Sequence, residues 1–137
     1  MDTHFNFNSA ICTSREQSER LLALGLKKET ADAIIPIKFN PDKGPILVPQ
    51  DYWISDDPFY LNIREGSIPA WSLDRLREML NKSGVTISFV ERDTSIIVER
   101  YGVFQNLCEI WDNVYDNICD AIEWLIKEGY FNENYLV

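Results

Sequence analysis

Apolar residues recur at helical spacing most clearly near the C-terminus, where Val114, Ile118, Ile122 and Leu125 follow at steps of four, four and three. That spacing predicts a helix over 113–128 with one buried face, ended by Gly129 and with Lys127 placed favourably in its last turn. A second stripe on the same helix, Asp112, Asp116, Asp120 and Glu123, is wholly acidic. Like charges at i,i+4 cost about a few tenths of a kcal/mol each unless something offsets them. The stripe is therefore the first candidate for contact with something positive.

Two further helices announce themselves by their caps. Thr13 and Glu16 form a T-x-x-E capping box ahead of Leu21, Leu22 and Leu24. Gly25 suits the left-handed position that follows a helix, and Leu26 would pack back on Leu21. A short helical turn over 28–33 follows. Ser72 is a second N-cap, with Trp71 before it able to staple onto Leu76. Leu73, Leu76, Met79 and Leu80 then face inward, while Asp74, Arg75, Arg77 and Glu78 face water, as far as Gly84.

Between these helices the pattern breaks into short runs separated by prolines at 36, 41, 45, 49 and 58. Residues 40–45 read as a turn, and 55–58 (Ser-Asp-Asp-Pro) as another that joins strands 52–54 and 59–63 in a hairpin. Residues 85–90 and 94–98 are β-branched and alternating, which predicts an antiparallel hairpin closed by 91–93. Segment 104–112 fits either a strand or an extension of the last helix. Residues 1–12 read as a tail or a short edge strand. With no β-α-β repeat, the order predicts an α+β fold, three main helices packed on one mostly antiparallel sheet, as a single compact domain over 1–137. A chain of 137 residues is long enough to bury one core without disulfides or metals.

The net charge of −9 argues against binding the phosphate backbone of nucleic acid. Residues 105–137 hold seven acids and one base, against 15 acids and 12 bases in the first 104, so the C-terminal segment carries most of the imbalance. Three cysteines, at 12, 108 and 119, are an odd number without a C-x-x-C pair and fit a reducing cytoplasm. No run approaches the ~20 apolar residues that span a bilayer, so no membrane role is expected.

Chemistry is sparse. The one histidine, His4, removes the usual histidine-dependent nucleophiles and zinc patterns. Six isolated glycines form no phosphate-cradling loop. No metal or cofactor is expected; the acidic stripe offers too few ligands at too wide a spacing for magnesium. The Gly25 turn between two helical segments superficially suits a helix-turn-helix, but Glu29, Asp32 and Pro36 oppose it. Carboxylates beside aromatic rings remain: Asp51, Asp56 and Asp57 with Tyr52, Trp53 and Tyr60, the composition of many sugar sites and of carboxylate-dependent enzymes, and equally that of a polar turn between half-buried strands.

Three blocks, 13–32 (with Thr-Ser-Arg-Glu-Gln-Ser-Glu-Arg-Leu-Leu-Ala-Leu-Gly-Leu and Glu-Thr-Ala-Asp), 68–76 (Ile-Pro-Ala-Trp-Ser-Leu-Asp-Arg-Leu) and 121–131 (Ala-Ile-Glu-Trp-Leu-Ile-Lys-Glu-Gly-Tyr-Phe), taken in this order resemble small uncharacterised proteins of prophages and other mobile elements of gut Bacteroidetes. The resemblance implies a bacterial cytoplasmic setting and an accessory role, and brings no catalytic residues. The expectation is a non-enzymatic protein that binds another protein, or a second copy of itself, through Asp112, Asp116, Asp120 and Glu123. The alternative is a small ligand binder or carboxylate-dependent enzyme built on 51–60.

Overall fold

A computed structural model describes residues 10–38, 44–49, 52–90, 93–100, 103–106 and 114–137. Its helices are α1 (Arg15–Ala23), α2 (Pro58–Glu65), α3 (Leu73–Lys82) and α4 (Val114–Lys127), with short 3-10 turns at Lys28–Thr30 and Glu133–Tyr135. Its strands are β1 (Ala33–Pro36), β2 (Ile46–Leu47), β3 (Ser67–Ala70), β4 (Val85–Val90), β5 (Asp93–Arg100) and β6 (Val103–Asn106). The class is α+β, and every named pairing is antiparallel. The strands divide into two three-stranded sheets, ordered β2-β1-β3 and β4-β5-β6.

Cap chemistry explains most helix ends. The Schellman turn after α1 is as the sequence predicts: Leu26 N–H donates to Leu21 O at 3.2 Å and Gly25 N–H to Leu22 O at 3.0 Å, with Gly25 at φ 105°. Gly129, at φ 75°, ends α4 the same way. Ser72 caps α3 through the Arg75 N–H, and both Trp71 and Leu76 are fully buried. The box at α1 lies one residue later than expected. Ser14 Oγ accepts from Gln17 N–H, and the Gln17 side chain accepts from Ser14 N–H. Thr13 is drawn away by tertiary bonds, to Trp71 through both its N–H and its hydroxyl, and to Ser18 Oγ at 2.7 Å.

One element differs in kind. The expected hairpin of 52–54 with 59–63 is absent; 59–63 lies inside α2. Asp57 accepts from Phe59 N–H as N-cap, and Pro58 occupies the first turn, where its missing N–H costs nothing. The Ser-Asp-Asp-Pro string that resembles a β-turn is a helix start. The ambiguous segment opens as a strand, β6, and 107–113 lie outside the described residues, as do His4, Asp51, Cys108 and Asp112.

The main core joins α1, α3, α4 and the turn at 52–53. Leu21, Leu26, Ile34, Tyr52, Trp71, Leu76, Met79, Leu80, Ile118, Ile122 and Leu125 are all buried within it. The predicted apolar stripe of α4 is thus the centre of the fold. Asp32 fastens the first sheet to α3, accepting from Ser72 N–H at 2.8 Å and from the Ser72 hydroxyl. Among the described residues no helix is long and apolar enough to cross a membrane.

Candidate functional site

The acidic stripe of α4 lies along α1 of the same chain. Gln17 Nε2 donates to Asp116 at 2.8 Å, and Arg20 reaches both Asp120, at 2.7 Å, and Glu123, at 2.8 Å. Lys127, one turn on, adds a 3.5 Å ion pair to Glu123. Arg20, Asp120 and Glu123 each keep about a third of their side chain in water. The hydrogen bond from Arg20, helped by the charge of Lys127, holds the Glu123 carboxyl below its ordinary range. The positive group that the stripe called for is therefore supplied in part from within, at a position about 100 residues away in sequence.

The aromatic and acidic segment separates into an inner and an outer part. Tyr52 and Trp53 are buried, whereas Asp56 and Asp57 lie exposed on the turn that starts α2, and Asp57 is engaged as its cap. Burial pushes the Tyr52 hydroxyl above its usual value. Tyr52 and Trp53 are thus committed to the core and Tyr60 packs partly buried against it, while Asp57 serves as a helix cap.

What the sequence did not reveal is the surface beside them. Ile54 is 70%, Phe59 67% and Leu61 44% exposed. Phe59 is not a loose side chain. Its ring lies 5.9 Å from Tyr60, Tyr60 lies 5.2 Å from Tyr52, and Tyr52 lies 5.1 Å from Trp53, each pair meeting edge to face or nearly so. A ladder of aromatic rings runs from the core to the surface and ends at Phe59. The turn that carries Ile54 is held by Arg64, whose guanidinium donates to the carbonyls of Trp53 and Ser55. The only sequence signal for this arrangement is the apolar character of α2 on both sides: Tyr60 and Ile63 pack on the core, leaving Phe59 and Leu61 outside.

A separate concavity of about 460 Å³ lies between Ile11, Cys12, Ser14, Ile35, Pro45 and Tyr115. It is mostly apolar. Its thiol is a poor nucleophile, since burial, aided by the Asp32 carboxylate, pushes Cys12 up to about 11. Burial likewise pushes Cys119 to about 12. Among the described residues no three His, Cys, Asp or Glu side chains gather as metal ligands.

No protein-family model, no curated protein and no solved structure matches the chain.

Proposed function

We propose that this chain is a non-enzymatic accessory protein that acts by binding another protein, and that the contact centres on Phe59. One observation carries the reading: a two-thirds exposed aromatic ring, Phe59, anchored by a ring ladder to the core. Large apolar side chains grouped on a surface mark interaction sites. Aromatic anchors dominate binding energy because they bring area at small entropic cost, and a ring already fixed by its neighbours loses still less freedom on docking. The acids of α4, proposed from sequence as the contact, are partly neutralised by Arg20, so α2 is the stronger surface. An accessory role in a mobile element belongs to the same proposal and rests on the resemblance of the three sequence blocks.

The test is affinity capture from a gut Bacteroidetes lysate with quantitative mass spectrometry, using wild type, Phe59→Ser and Asp116→Lys matched in melting temperature. Prey lost with Phe59→Ser and kept with Asp116→Lys supports this surface. Prey lost only with Asp116→Lys moves the contact to α4. Prey indifferent to both defeats the proposal as placed.

A further inference from the structure

The concavity beside Cys12 is walled by the stretch of chain that leads into α1. Its apolar lining comes from Ile11, Ile35, Pro45 and Tyr115, around a volume of about 460 Å³. The register of the first sheet carries apolar surface outward from there. Leu47 stands opposite Ala33 and Ile68 opposite Ile35, so all four side chains emerge from one face. On that face Ala33 and Ile35 pack with Cys12, whereas Leu47 is 60% exposed, and Ile11 on the cavity wall is 50% exposed.

The polar groups around the cavity already have partners within the chain. The Thr13 hydroxyl meets Ser18 Oγ at 2.7 Å and accepts from Trp71 N–H. Ser14 and Gln17 cap each other, and Gln17 Nε2 donates to Asp116. The Tyr115 hydroxyl donates to Ala10 O at 3.0 Å, and Arg15 is paired with Glu19. Small-molecule sites fix their ligands with a few convergent polar groups, and here those groups are spent. The cavity suits an apolar side chain whose orientation is set by a tether.

Such a tether begins at the cavity itself. Residues 1–9 lie outside the described residues and join the described chain at Ala10, which lines the cavity. The junction is held by the Tyr115 bond to Ala10 O and by Thr13 N–H, which donates to Trp71 O at 2.9 Å. The preceding sequence, His4-Phe5-Asn6-Phe7-Asn8-Ser9, alternates, so an extended backbone puts Phe5 and Phe7 on one side and Asn6 and Asn8 on the other. Phe7 and Phe5 stand three and five positions before Ala10, reaches of roughly 10 and 17 Å along extended chain. We propose that residues 4–9 fold back as a strap over this cavity and seat Phe5 and Phe7 against Ile11, Ile35 and Pro45. Each ring then covers apolar surface that would otherwise face water. A tether this short holds the rings at an effective concentration in the millimolar range, roughly, which favours them over a second copy or a free ligand. The strap is separate from the Phe59 surface and does not depend on the contact proposed there.

The experiment is NMR on the full chain with protonated Phe rings and labelled Ile methyls, comparing wild type with Phe5→Ser/Phe7→Ser and with Asn6→Ser/Asn8→Ser. Wild type is expected to show ring-to-methyl cross-peaks from Phe5 or Phe7 to Ile11 and Ile35. The Phe variant should lose them and exchange the amides of 10–13 at least about tenfold faster, with the exchange of α3 unchanged, while the Asn variant behaves as wild type. Toluene, as a probe of the space, should shift the Ile11 and Ile35 methyls of the Phe variant at lower concentration than those of wild type. Absence of the cross-peaks, equal exchange in all three proteins, or an equal response to toluene would overturn the strap. Cross-peaks seen only between differently labelled copies in a mixed sample would overturn it in favour of a second copy.

Discussion

Replacing Arg20 by Met removes the one charge that Asp120 and Glu123 of α4 share, while a side chain of similar length is kept. Each of these pairs is about a third exposed, so screening limits it to the range of surface ion pairs, about 0.2–1 kcal/mol. Loss of Arg20 also restores repulsion along Asp116, Asp120 and Glu123, worth about a few tenths of a kcal/mol per neighbour. The sum is roughly 1–1.5 kcal/mol. With an unfolding entropy of roughly 0.29 kcal/mol/K for 137 residues, that corresponds to a drop in Tm of about 3–5 °C. The deficit depends on pH in a definite sense. Glu123 is held below its unfolded value chiefly by the Arg20 hydrogen bond, so its contribution is complete above the unfolded carboxylate value near ~4.3 and is lost as pH falls through the folded one. Urea unfolding of wild type and Arg20→Met at pH 7 and pH 3 reads both effects. A difference below about 0.3 kcal/mol at pH 7, or one undiminished at pH 3, would refute the assignment of the stripe to an internal seam.

Other substitutions probe separate links of the argument. Asp57→Ala removes the N-cap of α2 and should lower its local stability by about 1 kcal/mol, seen as faster amide exchange over 58–65, with Asp57→Asn close to wild type. Asn117 is buried in α4, and among the described residues neither of its amide atoms has a hydrogen-bond partner; Asn117→Leu should therefore raise stability by about 1–2 kcal/mol in urea unfolding, and a loss would show that the amide is paired. Gly129→Ala forces a Cβ into φ 75° and should cost about 1 kcal/mol by the same assay. Cys12 and Cys119, their thiols pushed to about 11 and about 12, should resist alkylation at pH 8 until the chain unfolds, as read by peptide mass mapping.

Local chemistry was legible and tertiary completion was not. Ser72, Gly25 and Gly129 act within one turn of chain, and the structure uses them as their residue types require. The apolar stripe of α4 was equally plain: Ile118, Ile122 and Leu125 are buried in the core and Val114 packs against it. The segment 52–65 misled because Ser-Asp-Asp-Pro satisfies a β-turn and a helix N-terminus alike, and Phe59 and Tyr60 favour strands by type. Pro58 in the first turn and the basic Arg64 in the last were helix signals of equal weight, and only packing decides between the two readings. Arg20 and Gln17 stand three residues apart on α1, a spacing that places both on one face, but nothing in sequence says that this face meets Asp116, Asp120 and Glu123. The exposure of Phe59 follows from the way Tyr60 and Tyr52 pack behind it, a consequence of the whole fold rather than of its own neighbours in sequence.

The most direct measurement of the central claim is photocrosslinking in cells, with benzoylphenylalanine placed at position 59 and, as a control on exposed helix surface, at Glu78 of α3. A discrete adduct with a different protein from position 59, absent from position 78, is the predicted result. No adduct from position 59, or one of twice the mass of the chain, would contradict it.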